Sequence, residues 1–141
     1  MSIEIQISDT QGHLKIDQAV IASLARGVLI AERRPAAAIS IALVDNGTIH
    51  RLNRLHLGHD WITDVITFPL SDPDDHELSG ELVISTEMAV ATARELGGDP
   101  YDELALYVVH GLLHLCGYDD SNEEQSAAMN RRQTEIRTTL S

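Results

Sequence analysis

Residues 108–120 read VVHGLLHLCGYDD. Two histidines, His110 and His114, sit four apart in an otherwise apolar run, and a glycine and two aspartates follow at once. A helix advances about 100° per residue, so four steps return to nearly the same face. The spacing predicts a helix that carries both imidazoles side by side, where their nitrogens can share one ion at ~2.0–2.1 Å. Gly117 predicts the end of that helix. Beyond it, Asp119 or Asp120 can swing back as an oxygen donor. Two histidines and one carboxylate leave a fourth position for solvent, which marks a catalytic rather than a structural zinc site. The plain alternative is a pair of packed, hydrogen-bonded histidines. Zinc peptidases of the His-Glu-x-x-His type place a glutamate after the first histidine as general base. Here that place holds Gly111.

The flanking sequence gives this helix a setting. Asp99 is a natural N-cap and Pro100 a natural first helical residue. The body is YDELALYVVHGLLHLC. Ser121 with Glu124 has capping-box spacing for a last helix through Leu140. Upstream, TEMAVATARELGG reads as a helix with a glycine stop, ELVIS and DVITFPL as strands, and SDPDDHELSG between them as a mobile loop. NGTIHRLNRLHLG suits a short helix ending at Gly58, and AAISIALVD a buried strand. Asp17 caps QAVIASLARGVLIAERR, with Val20, Leu24 and Val28 near one face and Pro35 as its stop. SIEIQIS alternates with the two-residue period of a half-buried strand. The order β-α-β-α-β-β-α-α-α predicts an α+β (α/β-like) fold: a small four-stranded mixed sheet packed with about five helices, the metal site on a central helix. We expect one domain over residues 1–141.

Composition bounds the function. Of 141 residues, 43% are hydrophobic but only 4% aromatic, so aliphatic side chains must fill the core. Met88 and Met129 are expected there. A net charge of −12 argues against a protein that holds nucleic acid by bulk electrostatics alone. It leaves room for local basic patches, and arginines cluster at Arg26/Arg33/Arg34, Arg51/Arg54 and Arg131/Arg132/Arg137, each read singly as a solvated face. Cys116 is the only cysteine, read as a small buried hydrophobe; an internal disulfide is ruled out, in keeping with a reducing cytoplasm. No apolar run approaches the ~20 residues of a membrane span. The start, MSIEIQISDT, lacks the basic and apolar regions of a secretory signal.

Taken together, HGLLHLCGYDD resembles the signature of the YbeY family, bacterial metal-dependent endoribonucleases of ribosomal RNA maturation, which reads His-Gly-x-Leu-His-Leu-x-Gly-Tyr-Asp-His. Leu52–Asn53, TDVITFPL at 63–70, GELVIS at 80–85, and the last helix with Met129 and Glu135 follow in the family's order. The resemblance is strong over residues 40–136 and a matter of pattern before that. It implies a cytoplasmic hydrolase with one divalent ion, expected to be Zn2+, held by His110, His114 and Asp120, the last standing where the family has a third histidine. It implies single-stranded RNA, ribosomal RNA and the small ribosomal subunit as partners, with assembly proteins beside them and no membrane. Thr63 and Asp64 are the catalytic candidates near the cleft. Leu57 stands where the family commonly has an arginine, which leaves Arg51, Arg54 and His59 as the RNA-binding candidates. The alternatives are a metal hydrolase of another class, such as a peptidase, and a catalytically weak ribosome-assembly factor.

Overall fold

The elements run β1 (Ile3–Asp9), α1 (Gln18–Ala31), β2 (Ala37–Val44), α2 (Asn46–Leu57), β3 (Val65–Pro69), β4 (Leu78–Ser85), α3 (Thr86–Leu96), α4 (Pro100–Leu115) and α5 (Glu123–Leu140). The computed structural model describes residues 2–59, 61 and 63–140. The four strands form one mixed sheet in the order β1-β2-β4-β3. β1, β2 and β4 run parallel; β3 runs antiparallel to β4 at the edge. The chain therefore leaves β2 through α2, lays down the edge strand, and returns as β4 beside β2. This is the expected α+β arrangement.

The two-residue period of the strands divides the apolar residues between two faces. Ile39, Ile41 and Leu43 of β2, with Leu82 and Ile84 of β4, pack into the main core under α1 and α4. Met129 and the half-buried Met88 join it, as expected. Val44, Ile66 and Val83 pack with Ile49 of α2 in a smaller cluster.

Helix α4 is apolar nearly all round, as a central helix must be. It touches α1, α3, α5, β3 and β4. Leu104, Val108, Val109, Leu112 and Leu113 are fully buried. Burial of each contributes about 1.5–3 kcal/mol, which fixes the helix and the direction of whatever side chains it carries. Among the described residues no helix is long and apolar enough to cross a membrane.

Several local expectations shift. α1 stops at Ala31, before Pro35 is reached, because Arg33 turns into the left-handed region at φ 59°. Its N–H donates to Ile30 O (3.0 Å) and that of Arg34 to Leu29 O (2.8 Å), closing the helix by the two-bond motif usually built on glycine. An arginine in that conformation costs about 1 kcal/mol. The buried face of α1 is Ile21, Ala25, Val28 and Leu29, while Val20 is exposed. β4 begins three residues before Glu81, at Leu78, because its pairing with β2 runs back to Ala37. The loop before it is tied down: the Arg34 guanidinium donates to the carbonyls of Pro73 and Asp75. The cap of α5 is Asn122, whose Oδ1 accepts from Gln125 N–H at 2.8 Å, one residue beyond the expected Ser121. Ser121 instead turns its hydroxyl to Asp119 and Gln125.

Candidate metal centre

His110 and His114 are the two residues of the C-terminal half of α4, from Tyr107 to Leu115, that the core does not seal, with side chains 30% and 23% exposed. The helix ends as Gly117 reaches φ 106°, a conformation costly for any residue with a Cβ. Gly117 N–H donates to His114 O and Tyr118 N–H to Leu113 O, each at 3.0 Å. This reversal brings the Tyr118 carbonyl back to His114 Nδ1, at 3.1 Å. It also delivers Asp120, whose Oδ2 lies 3.6 Å from His114 Nε2 and 4.0 Å from His110 Nε2.

The second ring is held from another element. His110 Nδ1 lies 2.6 Å from Gln133 Oε1 on α5. The orientation of that amide is set by Asn130 Oδ1, which accepts from Gln133 Nε2 at 3.2 Å. Both Nδ1 atoms face carbonyl oxygens, which only accept. Each Nδ1 must therefore carry a ring proton, and in the neutral imidazole that leaves Nε2 with a bare lone pair. The two Nε2 atoms are 3.1 Å apart. Two lone pairs and a carboxylate at that range repel one another unless a cation lies between them. A tetrahedral ion with ~2.0–2.1 Å bonds needs donors about 3.3 Å apart, so the set can hold a small divalent ion.

The neighbouring groups are accounted for. Asp119 is exposed and accepts from Asp120 N–H (2.7 Å) and Ser121 Oγ (3.0 Å). Those hydrogen bonds, the backbone one foremost, hold its carboxyl below the usual range and commit it to shaping the loop. Burial pushes the Cys116 thiol up to about 11, so it remains a thiol at neutral pH and offers no thiolate donor. Gly111 lies flat on the sheet. A Cβ there would meet Leu82 Cδ2 at 2.8 Å and Val65 Cγ2 at 3.3 Å. The position that carries the general base in His-Glu-x-x-His peptidases therefore faces the core, away from the site.

The other predicted residues lie outside this cluster. Thr63 and Asp64 line a separate groove of about 410 Å³ with Glu103, Leu106 and Tyr107 of α4. Asp64 Oδ1 accepts from Val65 N–H at 2.8 Å, so one oxygen is used in starting β3. Arg51 and Arg54 are exposed on α2, and Arg51 reaches Thr48 Oγ1 at 3.4 Å. His59 stacks on Trp61, centroids 4.3 Å apart and planes 12° from parallel. That loop is pinned by buried Asn53, whose Nδ2 donates to Trp61 O at 3.0 Å.

The sequence model of the family described as Endoribonuclease YbeY matches residues 6–141. The chain belongs to the YbeY family. A protein of Carboxydothermus hydrogenoformans named Endoribonuclease YbeY is 37% identical over 137 residues, 96% of each chain. One of the same name from Pelotomaculum thermopropionicum is 37% identical over 142 residues, covering 94% of this chain and 93% of its own. The solution structure of a Thermotoga maritima protein superposes with a TM-score of 0.67 at 28% identity, over 94% of this chain and 85% of that one.

Gln133, Trp61 and the Tyr118 carbonyl escape a reading of the YbeY motif alone. Gln133 does leave a trace in the sequence. It sits between Met129 and Ile136 on the buried stripe of α5, where an unpaired amide would be expensive. Removing the acceptor tests its role. Gln133→Leu is expected to keep the fold and weaken zinc binding about 10- to 100-fold, the usual cost of losing a histidine's orienting partner. Chelator competition measures it; unchanged affinity would mean that His110 needs no such support.

Proposed function

We propose that this chain is a metal-dependent endoribonuclease that cuts single-stranded RNA, that its ion is zinc, and that it acts in the cytoplasm on ribosomal RNA of the small subunit, alongside assembly proteins. The observation that carries the proposal is the convergence of His110 Nε2, His114 Nε2 and Asp120 Oδ2 with both Nδ1 atoms already engaged. An ion bound there supplies positive charge to a phosphodiester oxygen and acidifies water. The protein's own part is to hold and aim. α4 fixes the two rings, Gln133 and the Tyr118 carbonyl set their protons on Nδ1, and Asp120 closes the third side. Thr63 and Asp64 stand apart from the ion, in the groove they share with Glu103, Leu106 and Tyr107 of α4. Arg51 and Arg54 meet phosphate. The exposed Trp61 ring, stacked on His59, offers a base a flat surface.

The test is elemental analysis of the purified protein coupled to digestion of single-stranded RNA, duplex RNA and casein. About one zinc per chain, with single-stranded RNA cut and chelator stopping the reaction, is the expected result. Full metal with casein cut and RNA intact would replace it with the peptidase.

One observation favours a second reading, a catalytically weak assembly factor. Leu57, 45% exposed at the end of α2, brings no charge to the place where the family commonly has an arginine. A cation at a helix C-terminus is well tolerated. Leu57→Arg is expected to raise kcat/KM on single-stranded RNA about 10-fold by adding a charge-assisted phosphate contact. A flat response in a folded variant would place phosphate recognition elsewhere.

A further inference from the structure

Arg33, from one of the arginine clusters, meets Arg131 and Arg132, from another far along the sequence. A groove of about 470 Å³ lies between the end of α1 and α5, lined by Arg33, Arg131 and Arg132 with Glu32, Glu135 and Tyr118. Three guanidinium groups against two carboxylates is unusual on a chain of net charge −12. Both carboxylates are taken by Arg132: its Nε donates to Glu32 Oε1 at 2.5 Å and its Nη1 to Glu135 Oε2 at 3.0 Å. Its Nη2 donates to Ala31 O at 3.1 Å, which ties α5 to the end of α1. Among the described residues, Arg33 and Arg131 have no carboxylate partner.

The backbone at Arg33 is the second observation. Helices α2, α3 and α4 are followed by glycines at positive φ: Gly58, Gly97 and Gly117. At the end of α1 the same turn is made by an arginine, the only non-glycine with positive φ among the described residues. Strain kept at one position invites a functional account. The third observation is position. Tyr118, which lines the groove, is the residue whose carbonyl holds His114 Nδ1. Next to Arg132 on α5 stands Gln133, which holds His110. The groove thus shares Tyr118 with the candidate metal centre, and Arg132 on its wall is the chain neighbour of Gln133.

We infer that this groove binds phosphate groups of the RNA strand that lies across the metal centre, with Arg33 and Arg131 as the contacting groups and Arg132 as the frame between them. The inference rests on the RNA-cleaving function proposed above. Arg33 and Arg131 are positioning residues: they hold a strand beside the site and touch no reacting atom.

The experiment uses the zinc-loaded full chain and a fluorescein-labelled 2′-O-methyl single-stranded oligoribonucleotide, checked to be intact after titration. Affinity is measured at several salt concentrations for wild type, Arg33→Gly, Arg131→Ala, the double variant, and Arg94→Ala on α3 as a charge-matched control. Each groove variant is expected to bind about 3- to 10-fold more weakly. The double variant should lower the slope of log K against log salt by about 1.4, at ~0.7 per lost phosphate contact on a single strand. Arg33→Gly should keep or raise Tm while losing affinity, because glycine suits the left-handed turn; a merely structural arginine would show no such split. Zinc content should not change. A double variant with wild-type affinity and slope overturns the groove and leaves the proposed function standing. So does an equal loss in Arg94→Ala, which would reduce the effect to net charge. A wild type that neither binds this oligonucleotide nor cuts its ribose counterpart overturns both.

Discussion

Replacing His114 with alanine is expected to leave the purified protein without stoichiometric zinc and its RNA cleavage at background. Losing the orienting partner of a ligand already costs about 10- to 100-fold in affinity, so losing the ligand itself must cost more. The fold should survive. His114 is part-exposed, and the turn that follows is closed by the Gly117 and Tyr118 N–H groups, not by the imidazole. Loss of one hydrogen bond to the Tyr118 carbonyl costs about 1 kcal/mol. The aspartates should separate in the same assay. Asp120→Ala removes an oxygen that faces both Nε2 atoms, whereas Asp119→Ala removes only loop hydrogen bonds. Asp120→Ala should therefore weaken zinc far more than Asp119→Ala, and Asp120→His should keep or tighten it. Chelator competition on the four variants, with circular dichroism to confirm folding, decides it. Zinc retained in His114→Ala would remove α4 from the metal site. Equal affinity for wild type and Asp120→Ala would remove the carboxylate.

The largest expected change in stability comes one residue from His110. Gly111→Glu would restore the His-Glu-x-x-His spelling, and it should destroy the fold instead of creating a peptidase. Its Cβ would already press on Leu82 and Val65 at 2.8 and 3.3 Å. Leu82 is fully buried on β4, so its methyl groups can move only by pushing into the core. Overpacking of that kind costs about 1–3 kcal/mol. The carboxylate then enters the interface between α4 and the sheet without a partner, at a further cost of several kcal/mol. A total above ~4 kcal/mol is a large part of the 5–15 kcal/mol that ordinarily separates folded from unfolded. The expected outcome is an insoluble protein, or a Tm lower by at least about 10 °C in thermal melts. An unchanged Tm would mean that α4 sits farther from the sheet than Leu82 and Val65 indicate.

The residues that could be read in advance are those whose role is local. Asp17 and Asp99 cap α1 and α4 through bonds to N–H groups two residues on, a reach set by covalent geometry. The pairing of His110 with His114 is likewise local, because 3.6 residues per turn holds in any helix. Ser121 misled because Asn122 beside it is an equally good cap, and the choice between adjacent caps depends on which register of α5 turns Met129, Gln133 and Ile136 inward. Pro35 misled because α1 closes earlier, on hydrogen bonds that a left-handed Arg33 permits and that no propensity favours.

By itself the sequence determined the element order, the caps of α1 and α4, the two-histidine face of α4 and the turn at Gly117, since each follows from periodicity or from the chemistry of one residue. Only the tertiary structure decided the strand order β1-β2-β4-β3, the hold of Gln133 on His110, the burial of Gly111 against the sheet, and the meeting of Arg33 with Arg131 and Arg132. The physical reason is that these depend on which apolar faces bury against one another. Contacts 23 residues apart, as between His110 and Gln133, or 100 apart, as between Glu32 and Arg132, are by-products of that packing and leave no periodic mark on the chain.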